Sequence, residues 1–154
     1  LYDTVDAQVL KSDAYLNVSN HPTAWTQRIR PNFQNFVRNE YELLITLGTL
    51  PDRPAPYVLT LRLETDAAHE AEFNEWYNTD HLPALVSVPG VYAARRYRAT
   101  SGEPKYLAVY ELANPELLRG EAWKTAANSE WTLKLRPHFK HLATQAGRLL
   151  YGLP

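Results

Sequence analysis

Tyr57-Val58-Leu59-Thr60-Leu61-Arg62-Leu63-Glu64 sets Leu59, Leu61 and Leu63 against Thr60, Arg62 and Glu64. A period of two over this length is the pattern of a strand with one buried face. Thr65-Asp66 follows with N-cap chemistry, and Glu70 and Glu72 place acidic side chains in an opening helical turn. Phe73, Trp76, Tyr77, Asp80 and His81 then recur at three- and four-residue spacing, an aromatic stripe that ends in two polar groups. Pro83 is expected to interrupt that helix, and Val88-Pro89-Gly90 to turn the chain.

Val91 to Ala99 reads as a second strand, Ser101-Gly102-Glu103-Pro104 as a turn, and Lys105 to Leu112 as a third strand. Asn114-Pro115-Glu116 opens a second helix, with Asn at the N-cap and Pro in the first turn. Leu117, Leu118, Ala122 and Trp123 are expected on its inner face. A fourth strand is expected within Leu142–Tyr151. The order βαββαβ is the ferredoxin-like split motif, an α+β class with an antiparallel sheet. Helices on one face leave the other bare, and pairing two such sheets would cover it and enclose a cavity, as a dimeric α/β barrel does.

An internal correspondence runs through the chain. With Tyr2 set on Tyr110, Leu10 meets Leu118 and Tyr15 meets Trp123; after two extra residues near His21-Pro22, Trp25-Thr26 falls on Trp131-Thr132 and Arg30-Pro31-x-Phe33 on Arg136-Pro137-x-Phe139. The preserved spacing points to a repeat. Residues 1–50 then read as the C-terminal part of a first ferredoxin-like repeat whose front part precedes Leu1, residues 51–56 as a Pro-rich joint, and residues 57–154 as a complete repeat. Pro51, Pro54 and Pro56, with Asp52 and Arg53, make that joint a short, stiff connector. The repeated Arg-Pro pairs are expected to be architectural.

Composition narrows the function classes. Sixteen basic and 17 acidic residues leave a formal net charge of −1, so no field favours nucleic acid or an anionic membrane. No run reaches the roughly 18 apolar residues of a membrane span, and no secretory leader pattern is present, so a cytoplasmic location is expected. Without cysteine there are no thiolate nucleophiles or Cys-ligated metals. His138-x-x-His141 could align two imidazoles on a helix, but no His-Glu-x-x-His pattern accompanies it and no metal site is expected. Neither a Gly-rich phosphate loop nor a G-x-S-x-G elbow occurs.

Phe73-Asn-Glu-Trp-Tyr-Asn-Thr-Asp-His81-Leu-Pro83, with Val88-Pro-Gly-Val91, Arg95-Arg-Tyr97 and Lys105-Tyr-Leu-Ala-Val-Tyr-Glu-Leu112, resembles the EthD-like branch of the dimeric α/β-barrel superfamily. The resemblance covers residues 57–154, and residues 2–49 match the end of a sister unit. It implies a barrel formed within a tandem chain or as a homodimer, and a small apolar or aromatic molecule as partner. It also implies a cofactor-independent enzyme (monooxygenase, isomerase or cyclase) acting on an aromatic or polyketide-derived substrate. His81 would handle the proton, assisted by Tyr77 or Asp80. Because Trp76 and Tyr77 are adjacent, they are expected to point to different places: one into the core, the other toward a cavity mouth. Arg62, Arg96 and Arg98 could bind a carboxylate or phenolate if they face the barrel, or form solvated ion pairs if they do not. A helix-capping role for His81 remains the structural alternative, and a non-catalytic ligand-binding or purely structural barrel the functional one.

Overall fold

The computed structural model describes residues 4–49, 52 and 54–150. Its chain divides into two units, Leu1–Glu40 and Tyr41–Pro154. Tyr2 of the internal correspondence, Tyr151 of the expected fourth strand, and Pro51 and Arg53 of the proline segment lie outside the described residues.

The first unit is built from short capped helices. The Asp6 carboxylate accepts the amides of Gln8 and Val9 and starts a 3-10 turn over Ala7–Lys11. Ser12 caps α1 (Asp13–Asn20), and Thr23 caps α2 (Ala24–Ile29). Arg30–Asn32 forms a second 3-10 turn, and Asn35 has a left-handed φ of 52°.

The second unit holds the sheet. Its strands are β1 (Glu40–Gly48), β2 (Tyr57–Thr65), β3 (Val91–Ser101), β4 (Tyr106–Leu112) and β5 (Phe139–Arg148), ordered β1-β3-β4-β2-β5. The last four give the ferredoxin-like order, with β2 antiparallel to both β4 and β5 and β3 antiparallel to β4. β1 adds a fifth strand beside β3: Thr49 donates its amide to the Tyr92 carbonyl, and Glu42 pairs with Arg98. Gly48 permits this approach, because its φ is +82° and a Cβ there would lie 2.3 Å from the Tyr92 oxygen.

Between β2 and β3 the chain forms a single bent helix in three parts. These are α3 (Glu70–Trp76), a π-helical turn (Tyr77–His81) and α4 (Leu82–Val86). Pro83 does not interrupt the helix as expected. Pro83 has no amide to give and its ring crowds the carbonyl four residues back. The turn just before it widens, so that Leu82 donates to the Tyr77 carbonyl, five residues back, and the helix resumes. Asp66 also departs from expectation: it stands at the N-cap position of the 3-10 turn Ala67–His69 but makes no side-chain cap bond. Its carboxylate is turned to Lys140 and His138 instead.

After β4, Asn114 caps a 3-10 turn (Pro115–Arg119), followed by α5 (Glu121–Ala127) and α6 (Glu130–Leu135), which Ser129 caps. Ala122 is exposed, and Ala126 and Ala127 take the place beside Trp123 on the packed face. A 3-10 turn at Arg136–His138 leads straight into β5, so the strand starts at Phe139, three residues before the expected segment. His141 within it has a φ of 52°.

One face of the sheet is covered by the helices. Leu59 and Leu63 of β2, Tyr106, Ala108, Tyr110 and Leu112 of β4, and Val91 and Ala94 of β3 pack against Phe73, Trp76, Tyr77, Leu82 and Leu85. Phe73 has no exposure and touches the rings of Trp76, Tyr77, Tyr106 and Phe139. Its replacement by alanine is expected to cost about 3–5 kcal/mol of folding stability, read as a fall in urea midpoint at constant slope.

Candidate active site

The stretch Phe73-Asn74-Glu75-Trp76-Tyr77-Asn78-Thr79-Asp80-His81 brings four kinds of chemistry to the seam between helix and sheet. Asn74 and Asn78, four residues apart, lie one above the other on the helix. Both aim at Arg96 of β3, whose guanidinium donates to Asn74 Oδ1 at 2.7 Å and Asn78 Oδ1 at 2.8 Å. Arg96 is wholly shielded from water. Its charge lies over the rings of Tyr77 (4.5 Å), Tyr106 (4.7 Å) and Phe73 (5.1 Å). Burial pulls its pKa down, and the three tyrosines Tyr77, Tyr106 and Tyr110 pull the other way. No carboxylate among the described residues bonds to it directly. A relay runs instead from Asn74 to the Tyr106 hydroxyl at 3.0 Å, and from there to Glu70 at 2.6 Å.

Trp76 and Tyr77 are both buried in the same cluster, contrary to the expected division of roles. The helix is enclosed on two sides, so neighbouring positions both find packed partners. Trp76 stacks toward Phe139 and donates to Thr132 Oγ1 at 3.1 Å. Tyr77 turns to β4, where its hydroxyl meets that of Tyr110 at 3.1 Å. Burial raises the pKa of both phenols, Tyr110's well above the ordinary value, so both stay protonated at neutral pH.

His81 closes the π-helical turn. Its ring lies 4.5 Å from Trp76 and 5.1 Å from Tyr77, centroid to centroid. It is buried, and Nδ1 has no hydrogen-bond partner among the described residues. Desolvation lowers its pKa to about 4; the Asp80 charge opposes this and Arg136 reinforces it. The imidazole is therefore neutral at physiological pH. Asp80 does not bond to it. It accepts the Ser129 hydroxyl at 2.6 Å, and Ser129 in turn caps α6 and meets Thr132 at 3.0 Å. Asp80 thus ties the π-helical turn to α6 while biasing His81 through space.

Arg62 stands apart from this group. It pairs with Leu107 and Ala143 in register and belongs to the strand face of Val58 and Thr60, away from the helices. That face also carries the Arg95–Glu111 ion pair at 2.8 Å. A shallow hollow of about 340 Å³ borders it, lined by residues including Val58, Glu111 and Arg148. Arg98 is exposed and paired with Glu42. Sequence reasoning overlooked Asn74, Asn78, Tyr106 and Tyr110. The signals available were the i,i+4 asparagines and two tyrosines four apart in a strand, hence on one face. Donors able to hold a metal, among the described residues, gather at Asp66, His69 and His138, which share nothing with the His81 group.

No protein-family model matches the chain, and no curated protein matches it. Among solved structures it is similar to a candidate monooxygenase from Fusobacterium nucleatum subsp. nucleatum. That match has a TM-score of 0.61 at 9% identity, over 92% of this chain and 62% of that one. That likeness establishes the fold. An ethyl tert-butyl ether (EthD) family protein from Bacillus halodurans is also similar, at 18% identity and a TM-score of 0.46, over 61% of this chain and 99% of that one. So is a candidate monooxygenase from Lactobacillus acidophilus, at 15% identity and a TM-score of 0.44, over 66% and 46% of the two chains. The chain thus spans less than two thirds of the Fusobacterium structure. No helix among the described residues is long and apolar enough to cross a membrane.

The depressed His81 pKa has a consequence for stability. An unfolded chain binds the proton near the ordinary imidazole value of 6.5, whereas the folded one resists it to about 4. Stability is full above pH 6.5 and falls as pH drops toward 4, by about 3 kcal/mol from this group. In His81→Gln that part of the slope of unfolding free energy against pH is expected to vanish, which denaturant titrations across the window would reveal.

Proposed function

We propose that this chain is a small-molecule enzyme of the EthD-like type, working by acid–base chemistry at His81 without a cofactor. The observation that carries the reading is a neutral, buried imidazole with an unpartnered Nδ1, set in a π-helical turn against the rings of Trp76 and the protonated Tyr77. Such turns recur at functional sites, and a titratable group perturbed by burial is a common mark of them. His81 would take a proton from an acidic C–H or O–H of an aromatic or polyketide-derived substrate and return it at another position. Tyr77 and Tyr110, kept protonated by burial, would donate to the enolate or phenolate formed, and the Arg96 charge would favour that anion. Trp76 would supply an aromatic wall. Asp80 would act as a positioning residue through Ser129, and Arg62 would meet a ligand only from the opposite sheet face.

The chain's local structure supports a tandem reading of its organisation. The two stretches matched in sequence run through the same succession: side-chain cap, 3-10 turn, two short helices, and a 3-10 turn containing proline. Each ends at a residue with φ 52°, Asn35 in one and His141 in the other. The alignment with the Fusobacterium structure extends over 92% of the chain, including most of the first stretch. A barrel completed by a second sheet, in a homodimer or within a longer chain, would cover the face that carries Arg62 and Arg95.

One observation favours a second reading, a structural barrel without chemistry. The seam around Arg96 is filled by side chains bonded to one another, and neither the hollow beside Val58 nor a second one lined by Glu64, Glu70 and Lys105 borders His81. A series of hydroxynaphthalenes and naphthoates, screened by thermal shift and by the ring resonances of His81, separates the two. The enzyme reading expects at least one compound to raise Tm by several degrees at saturation and to move His81, with turnover lost in His81→Ala and binding kept. If no member of the series moves His81, the structural reading stands; a compound that His81→Ala still converts would overturn the role given to His81.

A further inference from the structure

Three side chains outside the His81 group converge where β2 hands over to the long helix. Asp66 and His69 belong to the turn after β2, and His138 to the turn before β5. Thr65 and Phe139 are register partners in the antiparallel pair β2–β5, so the residue after one and the residue before the other must be neighbours. Folding alone brings the three together. One donor atom from each lies within 4.8 Å of the other two.

The chemistry of this group is that of a metal-ligand set. The two imidazoles stack with centroids 3.5 Å apart at an interplanar angle of 20°. A neutral imidazole offers one ring nitrogen lone pair to a cation. Nδ1 of His69 is shielded from water and has no hydrogen-bond partner among the described residues. The Asp66 carboxyl is held ionised by its hydrogen bonds to Lys140 and His138. Two imidazoles with one carboxylate suit a borderline cation such as zinc or cobalt rather than calcium or magnesium, which favour all-oxygen shells.

We propose that Asp66, His69 and His138 bind one divalent cation of the zinc class, with solvent completing the shell. Donors on a tetrahedral zinc lie about 3.3 Å from one another, so the site forms by a small unstacking and closing of the two rings. The ammonium of Lys140 now sits on Asp66 and is the built-in competitor. It is half exposed and can swing into water at little cost. Around the group, Glu72 lies close enough to His69 to sense its charge, and His141 faces Glu64 at 4.0 Å. Neither belongs to the proposed shell. A bound cation would pin the start of the long helix to the start of β5, and three protein ligands leave a coordination position open to a further molecule.

The test is a titration of the unmodified chain with zinc chloride, and in parallel with cobalt chloride, read by imidazole ¹⁵N shifts, calorimetry and the cobalt visible spectrum. The expected result is one equivalent bound, with the ring nitrogens of His69 and His138 moving together and those of His21 and His141 staying still. Affinity should fall at least tenfold in His69→Ala and in Asp66→Asn, and rise several-fold in Lys140→Ala. It should also weaken as pH falls, because protons compete with the cation for its ligands. The resonance shifts are read on the unmutated chain, so the result survives a variant that fails to fold. Zinc at about 1 mM that leaves His69 and His138 unmoved, or binding that follows His21 or His141 instead, would overturn the proposal.

Discussion

A guanidinium with no access to water holds the helix to the sheet. Charges are left uncompensated inside a protein only at high cost, so the groups around Arg96 have little freedom. Asn74 and Asn78 must present their carbonyl oxygens, three aromatic faces must lie over the charge, and the relay through Tyr106 must reach Glu70. Those demands fix the rotation of the helix about its axis. Once it is fixed, Tyr77 points at Tyr110, Trp76 at Thr132, and the turn that follows carries His81 to the edge of the core.

The π-helical turn is the second consequence. A proline in the middle of a helix usually breaks or kinks it; here the extra width absorbs it. The same widening sets His81 against two aromatic rings without a hydrogen-bond partner for Nδ1. An imidazole so placed loses its proton readily, because water can no longer solvate the cation. Asp80 does not restore the balance, since its carboxylate is already engaged by Ser129. The turn therefore acts on function through electrostatics as much as through shape.

Much of the fold could be read from residue patterns, for reasons that particular elements make plain. β2 alternates cleanly because one of its faces is covered by helices, and Asn114-Pro115 announces its turn by chemistry that only a helix start satisfies. The candidate site was legible in part. Trp76, Tyr77 and His81 stand out at helical spacing, but the role of Arg96 does not, because a charged residue in a strand reads as solvent-facing until its distant partners Asn74 and Asn78 are known. The π-helical turn left no local signal beyond Pro83 itself. Asp66 looked like a cap because caps are recognised by position, whereas its charge was claimed by Lys140 from the far end of the chain. His138 and His141 were spaced as if on a helix, and the positive φ of His141 within β5 removes that geometry.

The central claim is that burial against Trp76 and Tyr77 holds His81 neutral. The most direct measurement is the pH dependence of the His81 ring nitrogen shifts in the folded chain. The account expects His81 to remain neutral until about pH 4, well below the value of about 6.5 at which an imidazole in water gains its proton. A His81 that gains its proton near pH 6.5 would mean that water reaches the ring, and the buried neutral imidazole at the centre of this account would not exist.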